Sequence, residues 1–293
     1  MIKDQKVLLS RHLLLKLTRE FFWNQDFLEI DTPILNFSLP HEANLYPFTV
    51  SSSQSKEKYF LPLSPEKSLK KTLSMYQKPL FSISKSFRDL ESTGPQHLPE
   101  FTMLEFYTPH TNYLDTLKNT QAYLEFIFKN FQLPTPSWEI LPISHLFSLY
   151  CPNIPIPQNE PDFNQLFLNK IDPHLKNHPY LFITHYPHFL SPLAQKEANS
   201  DLSERFECYI HGIEIANACT ENTNTEQVKA SFQGESNYRS QNNLPNPPLD
   251  SDFLKTLDAL PPSSGCGLGL DRLLMLLTKS DSIENLTHLS LKK

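Results

Sequence analysis

Arg88 is the first side chain along the sequence whose surroundings suit phosphate chemistry. It ends a segment, starting at Leu80, in which Ser82, Ser84 and Ser86 alternate with bulkier residues, a period-two pattern typical of a half-buried strand. An arginine at a strand end is commonly solvated or paired with a carboxylate. The alternative is a guanidinium that binds a phosphate through two parallel hydrogen bonds. The pattern is compatible with both interpretations.

A second predicted strand follows after a polar loop and adds acidic and aromatic groups. Its alternation places Phe101, Met103, Glu105 and Tyr107 on one side. We therefore expect an antiparallel hairpin with a long loop, in which Arg88, Glu105 and Tyr107 form a polar floor.

The stretch that ends at Glu221 concentrates carboxylates among otherwise apolar strand residues. Carboxylates in such surroundings are costly unless they are paired or bind a metal. Mg²⁺ is commonly held by one or two carboxylates together with substrate phosphates. Carboxylates on the exposed side of an edge strand would give the same spacing. The four carboxylates and the carboxamide of this stretch are Glu204, Glu207, Glu214, Glu221 and Asn217.

The glycines are few and clustered. Only six occur, and Gly265, Gly267 and Gly269 fall within five residues. Such clustering favours positions where a side chain would collide with a packed helix or a bound ligand. The G-x-G-x-G spacing, without a downstream strand that carries a ribose-binding acid, disfavours a dinucleotide fold. With Asp271 as the predicted cap of a helix and Arg272 in its first turn, the segment indicates a flat purine site covered by a cation.

Helical patterns separate these segments and must position them. In the first predicted helix, residues 7–23, Leu9, Leu13, Leu17 and Phe21 recur every four residues and are predicted to face the core. The predicted fold class is α+β, with a mainly antiparallel sheet flanked by helices. Other predicted helices span residues 64–76, 114–131, 223–239 and 272–277, and strands lie within residues 27–30, 179–189, 205–217 and 265–270.

The composition excludes several classes of protein. With 39% hydrophobic and 20% charged residues, the 293-residue chain is globular, and its net charge of −6 disfavours a long nucleic-acid groove. No apolar run approaches the roughly 20 residues that cross a bilayer. Charged residues throughout the first 22 positions disfavour a signal peptide, so a cytoplasmic location is expected. The cysteine and histidine spacings match neither a zinc site nor a disulfide framework.

Three segments, in chain order, resemble the three motifs of class II aminoacyl-tRNA synthetases, most of all those of the lysyl branch. Phe27–Pro33 resembles motif 1. Ser86–Arg88 together with Pro99–Tyr107 resembles motif 2, and Gly267–Arg272 resembles motif 3.

The resemblance also implies a domain organisation. Because motif 1 begins near the start of the chain, residues 1–293 are expected to form one catalytic domain, with a Pro-rich insertion at about 133–178 and no anticodon-binding domain. This organisation resembles truncated members of the lysyl branch that attach a lysine-type amino acid, (R)-β-lysine, to a lysine side chain of elongation factor P.

The reaction and its participants are further implications of the resemblance. ATP and Mg²⁺ would be required, the amino acid would be activated as its adenylate, and the chain would act as a homodimer joined through the helix before Pro33, without stable tRNA binding. Arg88 and Arg272 would be the catalytic residues. The implied ATP-binding residues are Arg88, Asp89, Leu90, Glu91, His97, Leu98, Phe101, Glu214, Ile215, Gly269 and Arg272. The implied amino-acid pocket comprises Ser64, Pro65, Glu66, Glu105, Tyr107, Asn217, Glu221 and Gly267, and the implied Mg²⁺ ligands are Glu207 and Glu214.

Departures from the family pattern keep three hypotheses open. Leu90 stands where motif 2 has glutamate, Leu98 stands where asparagine is usual, and residues 89–100 contain no lysine or arginine. Gly267 stands where the protein-modifying ligases tend to have alanine. The first hypothesis is a β-lysine ligase for elongation factor P. The second is a ligase that activates α-lysine or another amino acid for a different acceptor, and the third is a non-catalytic regulatory paralogue.

Overall fold

The computed structural model describes residues 5–54, 56–90 and 94–287. The helices are α1 (Gln5–Trp23), α2 (Glu66–Tyr76), α3 (Tyr113–Asn130), α4 (Ile143–Tyr150), α5 (Glu160–Leu166), α6 (Thr225–Gln241), α7 (Ser251–Asp258) and α8 (Leu270–Thr278). The strands are β1 (Leu28–Glu29), β2 (Thr49–Ser51), β3 (Lys58–Phe60), β4 (Leu80–Phe87), β5 (Glu100–Pro109), β6 (Glu139–Pro142), β7 (Tyr180–Thr184), β8 (Arg205–Ile210), β9 (Ile213–Thr220) and β10 (Ser263–Gly269). Of the strand pairs in the described residues, five are antiparallel and two, β1 with β4 and β6 with β7, are parallel, so the α+β prediction is confirmed.

The chain divides into two compact units. The first contains residues up to Pro109 together with Thr223–Pro261 and the segment from Gly269 onward. The second contains His110–Asn222 and Pro262–Leu268.

The first unit is built on the predicted hairpin. In β4 and β5, Leu80 lies opposite Tyr107 and Phe87 opposite Glu100, with no interruption of the register between them. Residues that alternate in the sequence therefore lie on alternate faces of the sheet. Phe22 of α1 lies 5.0 Å, ring centre to ring centre, from both Phe81 and Phe106. Aromatic packing of this kind anchors α1 against the hairpin.

The prediction for the inward face of α1 was wrong in part. The buried residues are Val7, Leu14, Leu17, Thr18 and Phe22, whereas Leu9 is exposed. An α-helix advances about 3.6 residues per turn. A strict four-residue spacing therefore drifts around the helix axis, and only Leu17 of the predicted stripe is buried.

The second unit contains a sheet of the order β10-β9-β8-β7-β6. Its tight turn between β8 and β9 consists of His211 and Gly212, both with positive φ, the conformation that two-residue hairpins require. A Cβ on Gly212 would lie 3.0 Å from the Lys176 backbone nitrogen. Both the positive φ and this close approach therefore favour glycine at the position.

The Pro-rich segment forms regular structure within the second unit. Pro142 precedes α4 and Pro161 lies in the first turn of α5, positions where a missing backbone N–H costs nothing. Leu146 and Phe163 of these helices are buried in the core of the unit. Pro142 and Pro161 thus stand at the starts of helices within this segment.

None of the helices in the described ranges is long and apolar enough to cross a membrane.

Candidate active site

One face of the β4–β5 hairpin carries the predicted phosphate-binding side chains. Arg88 follows β4, its backbone N–H donates to the Pro99 carbonyl at 3.0 Å, and its guanidinium lies 5.1 Å from the centre of the Phe101 ring. Ser86 lies directly opposite Phe101. The Ser86 hydroxyl and the Arg88 Nε are buried and make no hydrogen bond within the described residues. Buried polar atoms without partners are costly, so this face is suited to a bound polar ligand.

The same unit contains five of the predicted pocket residues, Ser64, Pro65, Glu66, Glu105 and Tyr107. Ser64 accepts a hydrogen bond from the Glu66 backbone N–H at 3.2 Å, just before α2 begins. The Glu66 carboxylate pairs with Lys70 at 2.5 Å. Glu105 is buried and accepts the Tyr107 hydroxyl at 2.7 Å. Burial and the nearby Glu66 charge raise the pKa of Glu105 to about 8. A cationic ligand would relieve that penalty by favouring the charged form.

Glu42 belongs to this acidic group, and the sequence analysis did not identify it. Burial of its carboxyl and the Glu66 charge raise its pKa to about 7, with Arg88 and Lys70 acting in the opposite direction. The fully buried Arg239 donates to the Glu42 carbonyl at 2.6 Å and to the Leu45 carbonyl at 2.8 Å. Glu42 lies in an irregular segment, where no periodicity could have indicated its direction.

Arg272 and His97, both of which the motif resemblance implies in ATP binding, are adjacent. The Arg272 Nη2 lies 2.6 Å from the His97 Nε2, and its Nε donates to the Gln96 carbonyl. Asp271 does not cap α8, because Gly269 holds that position. The buried Asp271 instead accepts the Thr102 backbone N–H at 2.6 Å and pairs with Arg11. The predicted cap was wrong because Asp271 connects α8 to β5 and α1.

The other residues implied in ATP binding differ in burial, backbone conformation and hydrogen bonding. The Asp89 backbone N–H donates to the Tyr46 carbonyl at 2.7 Å, which fixes the start of the motif 2 loop. Leu90 is exposed and has positive φ, whereas Leu98 is buried. A Cβ on Gly269 would meet only the Arg272 side chain, at ordinary contact distance. Glu91 lies outside the described residues.

In the second unit, the predicted carboxylates and amide share one face of the sheet. Glu207 of β8, Asn217 of β9 and Gly267 of β10 lie directly opposite one another in the strand register. Gly267 contributes no side chain to this face beside Asn217.

A β-bulge brings Glu214 to the same face. Cys208 pairs with Ala216, but Tyr209 pairs with Glu214, so Ile215 is an extra residue in β9. Simple alternation would place Glu214 and Asn217 on opposite faces. The bulge reverses that assignment, because Tyr209 and Glu207 share a face and Glu214 lies opposite Tyr209. The Ile215 side chain is buried.

The Glu207 carboxylate is held by three donors. Its Oε1 accepts Arg205 at 2.5 Å, and its Oε2 accepts the Tyr186 and Tyr209 hydroxyls at 2.6 and 2.7 Å. Burial and the Glu207 charge raise the pKa of both tyrosines well above the usual range, so both remain donors. A carboxylate offers about four acceptor sites, so Oε1 retains one for a metal ion.

The described residues would hold Mg²⁺ only if the phosphates of a substrate supplied further ligands. They contain no group of three or more histidine, cysteine or acidic residues arranged for a metal. Glu207 and Glu214 share a face, and Mg²⁺ is usually held by one or two carboxylates plus phosphates. Class II synthetase-like ligases use ATP and Mg²⁺ in general.

Glu221, the last of the predicted pocket residues, follows β9. It is buried, its backbone N–H donates to the Ser263 carbonyl at 2.8 Å, and its Oε1 lies 3.9 Å from the Cys219 sulfur. Asn217, Cys219 and Glu221 are each two residues apart, the spacing of side chains on one face of a strand.

Comparison with known proteins agrees with the motif resemblance. The family of class II tRNA synthetases (D, K and N) matches residues 2–292. Elongation factor P–(R)-β-lysine ligase from Buchnera aphidicola subsp. Baizongia pistaciae is 34% identical over 88% of this chain and 86% of its own length. The ligase of the same name from Baumannia cicadellinicola is 33% identical over 93% of this chain and 91% of its own length.

A lysine–tRNA ligase is similar as well. The enzyme from Buchnera aphidicola subsp. Cinara cedri is 31% identical over 98% of this chain, which spans 64% of that enzyme. The three motifs, the mainly antiparallel sheet and the match over nearly the whole chain agree with one another. The chain therefore belongs to the family of class II tRNA synthetases of the D, K and N type.

Proposed function

We propose that the chain is an ATP-dependent, AMP-forming ligase that activates a lysine-type amino acid, (R)-β-lysine, and transfers it to a lysine side chain of elongation factor P. The names of two ligases that match over most of both chains support the acceptor and the amino acid. Because the acceptor is a translation factor, the proposal places the reaction in the cytoplasm.

The buried Glu105 is the observation that carries the proposal. It has Tyr107 as a fixed hydrogen-bond partner, and the charges of Glu66 and Glu42 raise its pKa. Three neighbouring carboxyl groups favour a guest that brings positive charge. A diamino acid supplies two ammonium groups to this group of acids, whereas a neutral or acidic side chain brings no positive charge.

The first step joins the amino-acid carboxylate to the α-phosphorus of ATP. A P–O bond to the amino acid forms, the P–O bond to the β-phosphate breaks, and pyrophosphate leaves. The two reactants are both anionic, so Arg88 lowers the barrier by placing positive charge where they meet. Arg272, with His97 beside it, binds the nucleotide, and Phe101 presents an aromatic face for the purine.

Mg²⁺, when bound by Glu207 and Glu214, supplies further neutralisation of phosphate charge. Asn217 and Glu221 bind the amino acid, and Gly267 adds no side chain beside Asn217. In the second step the neutral ε-amine of the acceptor lysine attacks the adenylate carbonyl. A C–N bond forms, AMP leaves, and the nitrogen loses a proton. No covalent enzyme intermediate is needed.

A pyrophosphate-exchange assay with (R)-β-lysine and α-lysine tests the proposal. Exchange with (R)-β-lysine, followed by labelling of elongation factor P, is the expected result. Exchange with α-lysine alone would favour the second hypothesis, which Gly267 and the similarity to a lysine–tRNA ligase support. Absence of exchange with any amino acid would favour a non-catalytic paralogue.

The proposed active form is a homodimer without stable tRNA binding. Large apolar side chains are exposed on α1 and in the segment that follows it, among them Leu8, Leu9, Ile34, Leu35 and Phe37. Exposed apolar surface, where it is contiguous, commonly marks an interface. A twofold dimer is the most frequent closed assembly.

A further inference from the structure

We propose that Arg205 is a positioning residue that sets the direction of the Asn217 carboxamide, so that the amide NH₂ meets the carboxylate of the amino acid. This inference rests on the proposed function, in which Asn217 belongs to the amino-acid pocket. It adds a residue that the pocket described above does not contain.

The geometry around the Arg205 guanidinium determines which atom of Asn217 it contacts. Its Nε lies 3.1 Å from the Asn217 Oδ1, its Nη1 lies 2.6 Å from the Ser191 hydroxyl, and its Nη2 donates to Glu207. A guanidinium has only donors. The Asn217 atom that it meets must therefore be the oxygen, and the NH₂ group must point elsewhere.

The guanidinium is itself held in one place. It lies 4.7 Å from the centre of the Tyr186 ring, and the Tyr186 hydroxyl donates to the Glu207 carboxylate that also pairs with Arg205. Only 14% of the Arg205 side chain is exposed. A planar guanidinium with three hydrogen-bond partners and an aromatic ring beside it has little freedom to rotate.

The Asn217 NH₂ group remains available for a ligand. It makes no hydrogen bond in the part of the chain that the structure describes, and Asn217 is half-buried with Gly267 as its register partner. An NH₂ donor attracts a carboxylate, whereas a carbonyl oxygen in that place would attract an ammonium group. Arg205 thereby decides that this position binds the carboxylate end of a diamino acid and not one of its amines.

Two variants test the inference, Arg205→Lys and Asn217→Asp. Lysine keeps the charge but cannot contact Asn217, Ser191 and Glu207 together. Aspartate keeps an acceptor for Arg205 and replaces the NH₂ donor with an oxygen. For both, we expect KM for the amino acid to rise about 10- to 100-fold, the factor of one lost hydrogen bond to a charged group. In Asn217→Asp, KM for ATP should change less than about twofold, because the proposed function gives the Asn217 carboxamide no contact with ATP.

Binding of 1,5-diaminopentane, which is lysine without its carboxylate, separates positioning from a structural role. Its affinity, measured by calorimetry, should stay within about twofold of wild type in Arg205→Lys and should not fall in Asn217→Asp, while the affinity for lysine falls in both variants. Asn217→Asp should also keep the wild-type melting temperature, because its pairing with Arg205 is retained. The matched control is Arg19→Lys, the same change in the half-exposed pair of Arg19 with Glu29, and it should leave all these constants unchanged.

Equal losses for lysine and for 1,5-diaminopentane would overturn the inference, as would wild-type lysine binding in Asn217→Asp. Either result would leave the proposed function standing if the wild-type protein activates a lysine-type amino acid. A wild-type protein that binds neither lysine nor (R)-β-lysine would overturn the proposed function itself, and the positioning role with it.

Discussion

At the residue scale, the acidic group of the first unit has a defined response to pH. Burial and neighbouring negative charge raise the pKa of Glu105 to about 8 and that of Glu42 to about 7. An acid whose pKa is raised on folding stabilises the folded state fully below its ordinary pKa. That contribution is lost as the pH rises through about 8.

Glu105→Gln should therefore flatten the pH dependence of stability. Glutamine resembles the protonated carboxyl, so the variant avoids the cost of charging a buried acid. We expect the melting temperature to fall less between pH 5 and pH 9 in the variant than in wild type, by a few degrees. Glu226→Gln, on the exposed surface of α6, is the matched control and should follow wild type. A Glu105→Gln profile parallel to that of wild type would contradict the assigned pKa.

The same pKa values predict proton release on ligand binding. A diamino acid bound beside Glu105 and Glu42 would favour their charged forms. We expect lysine to release protons at pH 7, measured by calorimetry in buffers of different ionisation enthalpy. Proton uptake, or identical heats in all buffers, would show that the ammonium groups lie elsewhere.

Arg88→Ala should reduce pyrophosphate exchange by at least about 100-fold, because positive charge held at a developing anionic centre strongly stabilises the transition state. The control is Lys85→Ala. Lys85 belongs to the same strand but pairs with Glu100 and lies half-exposed on the other face. Exchange that survives in Arg88→Ala and disappears in Lys85→Ala would reverse the proposed roles of the two faces.

At the element scale, two irregularities of the second unit position the site. The bulge at Ile215 turns Glu214 to the face of Glu207, and the turn at Gly212 sets the register of β8 with β9. Alternation in the sequence indicated the strands but could not reveal the extra residue, because a bulge depends on the pairing of two strands. The hairpin of β4 and β5 has no such irregularity, so alternation in the sequence correctly predicted which of its residues share a face.

Gly212→Ala tests the turn. Its φ of +80° and the close Lys176 backbone should make alanine destabilising by roughly 1–3 kcal/mol, measured by denaturant unfolding. Gly234→Ala is the control, and its change in the free energy of unfolding should have the opposite sign. Gly234 lies in α6 with open space around it, so alanine should stabilise by about 0.5–1 kcal/mol. Equal effects of the two substitutions would show that the turn carries no backbone strain.

At the scale of the whole molecule, the exposed apolar surface of α1 predicts self-association. Leu9 is 59% exposed, although its spacing in the sequence indicated a core position. We expect light scattering after size exclusion to give a dimer for wild type and a monomer for Leu9→Glu, because a charge in an apolar interface is costly. Leu168→Glu, at an equally exposed leucine of the second unit, should remain dimeric. A wild-type monomer at micromolar concentration would refute the dimer.

The sequence by itself determined the fold class, the β4–β5 hairpin and the three motifs, because these depend on local alternation and on residue types close together in the chain. It indicated Arg88, Glu105 and Asn217 for the same reason. Only the tertiary structure placed Glu42 in the acidic group, turned Glu214 by a bulge and brought Arg205 to Asn217. Each of these depends on contacts between segments distant in sequence or on strand register, which neither composition nor periodicity encodes.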